Sequence, residues 1–515
     1  MNGSLAHAHG MIVEAGRLEH RKPMEAVGCY LLATRSAQEC YAANPQDASA
    51  RDLATYALSR AFDVMEAEHL HDWKQPLIVP VPGGTLTLTH RVDPNPDWHP
   101  SLYDFASSDR HAGKIARDQS RSARSGVGAP LVASVSAQAA RIHNPLAGER
   151  IYYGVTAVAR FQQGRCEISF EDPLALESIR LDGRNLPLAA DFTTPLAFML
   201  EDHNSLRMSF GRLLKPGKFT ETARITRLQP YDPNKTIVLC IHGLASEPST
   251  WIPMINALRG DAEIRQRYQF WFYSYPSGWP YPHSAAVLRA ELDKVASTLK
   301  PRQPMVVIGH SMGGCISRLL ITDTQGDALW RKMFDKSPKE TNLSPKNHRL
   351  FADALIFRPR PEIGRVVFIC APLQGSEMAT TNLAQLASKL IKAPSTLLAA
   401  GDELLANITE GQDGGRLKQI PNSVDTLSPD NRFVKAINSF PVSRRIPHHV
   451  ICGDRGEGGN KAQVEPMMSD GIVAYWSSRM ESAASEKIVP HDHSAQRRQA
   501  TIDEVARILK LHAAR

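Results

Sequence analysis

Met305-Val-Val-Ile-Gly-His-Ser-Met-Gly-Gly314 is the stretch that decides how this chain folds. Residues 305–308 form a short apolar run, the mark of a strand buried on both faces of a parallel sheet. A helical run over 316–321 follows it. Between the two, Gly309-His310-Ser311-Met312-Gly313 fits the pattern G-x-S-x-G. A serine on so sharp a strand-to-helix turn sits in a strained conformation, and glycine two positions to either side removes the clashes. The turn lifts the Ser311 hydroxyl out of the sheet, near the positive end of the helix. The bare pattern arises by chance. The strand before it, the helix after it and a further glycine at 314 favour a nucleophile over a glycine-rich turn that happens to hold a serine.

Upstream, Thr236-Ile-Val-Leu-Cys-Ile241 is another buried strand, followed by His242-Gly243-Leu244. A serine that attacks a carbonyl needs two main-chain N–H groups to hold the resulting oxyanion. One comes from the residue after the nucleophile, here Met312, and the other from the loop after an earlier strand, here Leu244. Loss of one such donor typically costs about 2.7–4 kcal/mol of barrier stabilisation. The alternative is a plain strand-to-helix turn in which Gly243 supplies a positive φ.

Further out, a helix near 251–258, an aromatic strand over 269–275 and a helix carrying Leu288, Leu292, Val295 and Leu299 follow in turn. Strands at 365–370 and 449–452 come next. Thr501 and Glu504 form a capping-box pattern that opens a last helix bearing Ile502, Val505 and Leu509. Strands alternating with helices predict a three-layer α/β domain with a mainly parallel sheet over 231–515.

These segments resemble α/β-hydrolases of the lipase/esterase type. The likeness lies in Val238-Leu-Cys-Ile-His-Gly-Leu244, Gly309-His-Ser-Met-Gly-Gly314, Ala371-Pro-Leu-Gln-Gly-Ser376 and Ser469-Asp-Gly-Ile-Val-Ala-Tyr-Trp-Ser477. It covers roughly 230–515 and no part of the first 230 residues. The resemblance implies a triad in the order Ser, acid, His, so the partners of Ser311 lie downstream. Similar lipases carry the base in a G-H-S or similar tripeptide. His493, followed by Ser494, matches best, although Asp492 stands where glycine is usual. His491, or a surface or metal-binding histidine pair, is the alternative. For the acid, Asp470 resembles the D-G-x-V turn of many lipases. Asp454, after the strand at 449–452, competes with it.

Two insertions, 323–361 and 377–446, are expected to cap the sheet and shape an acyl pocket. Leu386, Leu390, Ile391, Leu397 and Leu398 would line that pocket or form the core of the cap. Residues 1–75 read as a helical hairpin appendage, with helices over 24–42 and 51–66 broken by Asn44-Pro45. Residues 76–230 read as a small β-rich domain. Val155, Ala157, Ala159 and Phe161 alternate there, as do Cys166, Ile168 and Phe170, and 85–89 and 206–210 look like strands.

A chain of 515 residues holds two to four domains, at roughly 100–200 residues each. Its 22% charged residues fit a globular protein and exclude a largely disordered one. The net charge of +7 is too mild over this length to mark nucleic-acid binding. The local basic run over 110–124, with Lys114, Arg117 and Arg121, reads as a solvated loop, a contact with acidic lipid or phosphate being the alternative. No stretch approaches the roughly 18 apolar residues of a membrane span, and no secretory signal opens the sequence. Seven scattered cysteines without C-x-x-C point to buried thiols and a reducing, cytoplasmic compartment.

Phosphate-loop, H-E-x-x-H zinc and dinucleotide patterns are missing, so neither cofactor nor metal is expected. The expected function is hydrolysis of a small-molecule or lipid ester through an acyl-serine. An acyltransferase or thioesterase on the same residues is a rival reading, and a catalytically silent binding protein is another. Peripheral membrane contact and oligomeric state stay open.

Overall fold

A computed structural model describes residues 2–92, 99–110, 121–136, 150–201, 223–229, 231–377, 400, 403, 422–456 and 468–513. The chain forms two compact units. One comprises Met1–Asp202 with Leu228–Pro230 and Arg259–Gln266, and the other His203–Arg227, Tyr231–Leu258 and Arg267–Arg515.

The first unit opens with helices α1 (Asn2–Leu18), α2 (Pro23–Ala43) and α3 (Ala48–Ala67). Two of these are the hairpin read from the sequence, and α1 is additional. Pro23 starts α2 at a position whose N–H has no helical acceptor anyway. Asp47 caps α3, its carboxylate accepting the Ala50 N–H at 3.0 Å. Six strands follow: β1 (Leu77–Val81), β2 (Gly84–His90), β3 (Asp104–Ser107), β5 (Ala129–Ser136), β6 (Arg150–Gln162) and β7 (Arg165–Glu171), in the order β1-β2-β7-β6-β5-β3. Short ribbons join β4 (Ala123–Arg124) to β10 (Ala190–Asp191) and β8 (Ser178–Leu181) to β9 (Arg184–Pro187). Helices and sheet bury one continuous core, in which Leu31, Phe62 and Trp73 meet Leu88, Phe105, Val155 and Ile168. The strand expected at 206–210 lies outside the described residues.

The second unit is built on seven strands: β11 (Arg224–Arg227), β12 (Thr236–Ile241), β13 (Tyr268–Ser274), β14 (Met305–His310), β15 (Ile363–Ile369), β16 (His448–Gly453) and β17 (Ser485–Val489). Their order is β11-β13-β12-β14-β15-β16-β17, parallel throughout except where β11 meets β13. The α/β reading of the sequence holds. Central strands are dry, with Val306, Val307 and Ile308 each 0% exposed. Helices Tyr281–Leu299, Met312–Leu319 and Gln499–Ala513 pack against strands of this sheet. Both edge strands, β11 and β17, escape the sequence reading, and β11 falls before the boundary placed at 230. Segment 323–361 is itself folded, helices Ala328–Phe334 and Pro345–Leu355 gathering Phe334, His348 and Phe351 around Trp330. Of the second insertion, 378–399, 401–402 and 404–421 lie outside the described residues, the five leucine and isoleucine positions included.

All seven cysteines are buried and free. Among the described residues no helix is long and apolar enough to cross a membrane.

Candidate active site

Six strands run the same way, so the loops at their carboxyl ends gather along one edge of the sheet, where α/β folds bind ligands. Ser311 follows β14 there and caps the helix Met312–Leu319. Its φ of 53° and ψ of −126° are costly for a residue with a Cβ, on the order of 1–3 kcal/mol. The surroundings enforce them. The Ser311 N–H donates to the Ile369 carbonyl at 2.9 Å, and the Gly314 N–H donates back to the Ser311 carbonyl at 2.8 Å. A Cβ at Gly309 would come within 2.4 Å of Ser317 Oγ, and one at Gly313 within 2.2 Å of the Ile241 oxygen. One at Gly314 would meet the Ala371 Cβ at 2.4 Å. Each glycine is therefore required for close approach, which is why the turn can be so tight.

His493 lies 182 residues further along the chain, with its Nε2 2.8 Å from Ser311 Oγ and its Nδ1 2.8 Å from Asp470 Oδ2. A carboxylate only accepts, so in the neutral ring the proton is on Nδ1, and Nε2 is free to accept the serine proton. Asp470 Oδ1 accepts the N–H groups of Ile472 and Val473 at 2.8 and 2.7 Å. Gly471, at φ 92°, makes that turn. Burial pushes the Asp470 carboxyl up. The hydrogen bond and charge of His493, with the two N–H donors, outweigh it and hold the group below the usual carboxylate range. The alternatives from the sequence face elsewhere. His491 Nδ1 lies 2.7 Å from Asp492 Oδ1, and Asp454 accepts the Gly456 N–H.

The loop after β12 lies directly against the serine. A Cβ at Gly243 would fall 2.8 Å from the Ser311 Cβ. Gly243 is not in the left-handed region, so its role is proximity and not turn geometry. The loop is anchored from the segment that follows β13. The Tyr275 hydroxyl donates to the His242 carbonyl at 2.7 Å, its ring stacks on His242 at 4.3 Å, and Ser277 Oγ accepts the Ala245 N–H at 3.2 Å. Among the described residues, neither the Leu244 nor the Met312 N–H donates to a turn, loop or cap acceptor.

Several supporting residues went unassigned in the sequence. The Ala371–Ser376 and Ser469–Ser477 segments, noted for their likeness, are sewn together. Ser478 Oγ donates to the Ala371 carbonyl at 2.9 Å, Ser477 Oγ to the Gly375 carbonyl, and Gln374 Nε2 to the Trp476 carbonyl at 2.8 Å. Cys370, at φ 48°, lies beside the same carboxylate. Its sulfur, the Asp470 carboxylate and a His493 nitrogen all lie within 4.8 Å of one another, the one set of three metal-ligating side chains among the described residues. Burial first, then the Asp470 charge, pushes the Cys370 thiol well up, which keeps it protonated. A strand-end cysteine in an apolar run gives no hint of this neighbour.

The model of the alpha/beta hydrolase family matches residues 238–506, more than half of the chain. The chain belongs to that family. Among solved structures it is similar to the mature lipase BlEst2 of Bacillus licheniformis, with 17% identity over 56% of this chain and 98% of that one, TM-score 0.33. It is also similar to the metagenomic carboxyl esterase MGS0156, with 15% identity over 56% and 80%, TM-score 0.32. A third is the thioesterase domain from the curacin biosynthetic pathway, with 16% identity over 54% and 92%, TM-score 0.27. No curated protein matches the chain in sequence.

Proposed function

We propose that this protein is a serine esterase that cleaves a small-molecule or lipid ester through an acyl-serine intermediate. The observation that carries the reading is the continuous relay Ser311 Oγ, His493 and Asp470, with both links 2.8 Å long. His493 Nε2 takes the hydroxyl proton as Ser311 Oγ bonds to the ester carbonyl carbon. The carbonyl oxygen becomes an oxyanion held by the Leu244 and Met312 N–H groups. As the C–O bond breaks, His493 returns the proton to the departing alcohol. Water, deprotonated by the same imidazole, then releases the acid and restores the serine. Asp470 stays ionised and stabilises the imidazolium. This chemistry calls for no cofactor. In the same reading, insertions 323–361 and 377–446 form the cap, and residues 1–75 and 76–230 are accessory.

The test is Ser311→Ala on p-nitrophenyl esters of increasing acyl length, together with fluorophosphonate labelling of both proteins. Wild type should cleave at least one ester and label once. The variant should remain folded, lose at least about 10³-fold in turnover and take no label. Undiminished cleavage by a folded variant would falsify the assignment.

A further inference from the structure

His310 is the unassigned position of the G-x-S-x-G stretch, and it is not a bystander. Its ring is buried between the Trp251 indole, 6.4 Å away and nearly perpendicular, and the His493 ring, 5.0 Å away. Its Nε2 lies 2.8 Å from the main-chain carbonyl oxygen of His493. That oxygen only accepts, so Nε2 carries the proton and Nδ1 is bare. Nδ1 is buried without a partner among the described residues and faces the Gly243 backbone, 3.3 Å from where a Cβ there would stand. Burial, reinforced by the nearby His493, drives the His310 pKa down to about 3 against the upward pull of its own hydrogen bond. The ring is therefore neutral wherever an ester would be turned over, with one fixed donor.

We propose that His310 is a positioning residue that fixes the His493 main chain over Ser311 through the Nε2–H it donates to the His493 carbonyl. The proposal rests on the serine esterase reading. His493 sits on the loop between β17 and the helix Gln499–Ala513, and its ring must keep Nε2 on Ser311 Oγ while Nδ1 stays on Asp470. The two side-chain bonds orient the ring, and the His310 bond anchors the backbone from which the ring hangs. The anchor belongs to the residue adjacent to the nucleophile, so base and serine are referenced to the same rigid strand end. Misplacement of a reacting group by about 1 Å can cost on the order of 10²-fold in rate.

Glutamine places its amide nitrogen where Nε2 stands, whereas asparagine reaches only the Nδ1 position. On a short p-nitrophenyl ester, His310→Gln should keep kcat within about threefold of wild type. His310→Asn and His310→Leu should lower kcat about 10–100-fold with KM within about twofold. A folded His310→Leu with wild-type kcat, or a folded His310→Gln as slow as His310→Leu, overturns the proposal. If these variants do not fold, nitrogen NMR of 15N-histidine-labelled wild type decides it. A His310 ring protonated on Nε2 and bare on Nδ1 from pH 5 to 9 supports the anchor, and the opposite tautomer sinks it. Wild type that neither cleaves esters nor labels with fluorophosphonate fails at the esterase reading and takes this proposal with it. An active wild type with an indifferent His310→Leu fails at His310 alone.

Discussion

Asp470 shows how much a single carboxylate can do when it is nearly dry. Its side chain is 1% exposed and accepts from His493 and two main-chain N–H groups. Asp470→Asn keeps the shape but offers an amide where the imidazole needs an acceptor, so the ring turns to the wrong tautomer. Turnover should fall by about 10⁴ with little change in substrate binding, read from kcat and KM. The same residue carries a pH signature. Its native carboxyl lies below the ordinary value, so its stabilising contribution is complete above the unfolded pKa, about 3.9, and disappears as pH falls through the native one. Urea unfolding of wild type and Asp470→Asn should show a constant gap above about pH 5 that narrows under more acid conditions. A gap that widens in acid would contradict the assignment. The turn that carries Asp470 was legible because D-G-x-V has a distinctive sequence. The neighbouring Cys370 was not, because a buried thiol and a buried thiol beside a carboxylate look alike in one dimension.

Elements that are dry on both faces could be read from the sequence, and elements on the margins could not. β12, β13, β14, β15 and β16 all emerge from continuous apolar or aromatic runs. β17 reads Ser-Glu-Lys-Ile-Val and β11 reads Arg-Ile-Thr-Arg, with one neighbour each. Edge strands are short and charged because an apolar edge would recruit other chains, and that same protection erases the periodic signal. The lacing of the loop after β15 to the Ser469–Ser477 segment is likewise invisible in sequence, since serine is common in loops. It should matter in solution. Ser478→Ala leaves the buried Ala371 carbonyl with the Leu373 N–H as its other donor, and should cost about 0.5–1.5 kcal/mol by denaturant unfolding. A change below about 0.5 kcal/mol would mean the two loops are held otherwise.

For the whole molecule, the family match starts at residue 238, and the preceding unit contributes no residue to the proposed relay. The sequence foretold helices and a β-rich region there but not that they share one interior, because long-range packing leaves no local pattern. Phe62 marks that shared interior. From α3 it stacks at 5.7 Å on Trp73 and meets Phe105 of β3 and Phe170 of β7 edge-on. Phe62→Ala should destabilise helices and sheet together by about 3–5 kcal/mol, seen as a matching loss of hydrogen-exchange protection in α3, β3 and β7. A loss confined to the helices would show that they form an independent body.

The long interval between Ser311 and His493 also has a consequence during synthesis. A growing polypeptide displays Ser311 while the imidazole proposed to activate it is still unmade, and β17, which precedes that imidazole, is the last strand of the described sheet along the chain. On the serine esterase proposal, a chain that ends before the histidine would hold the nucleophile without its base and would not hydrolyse an ester.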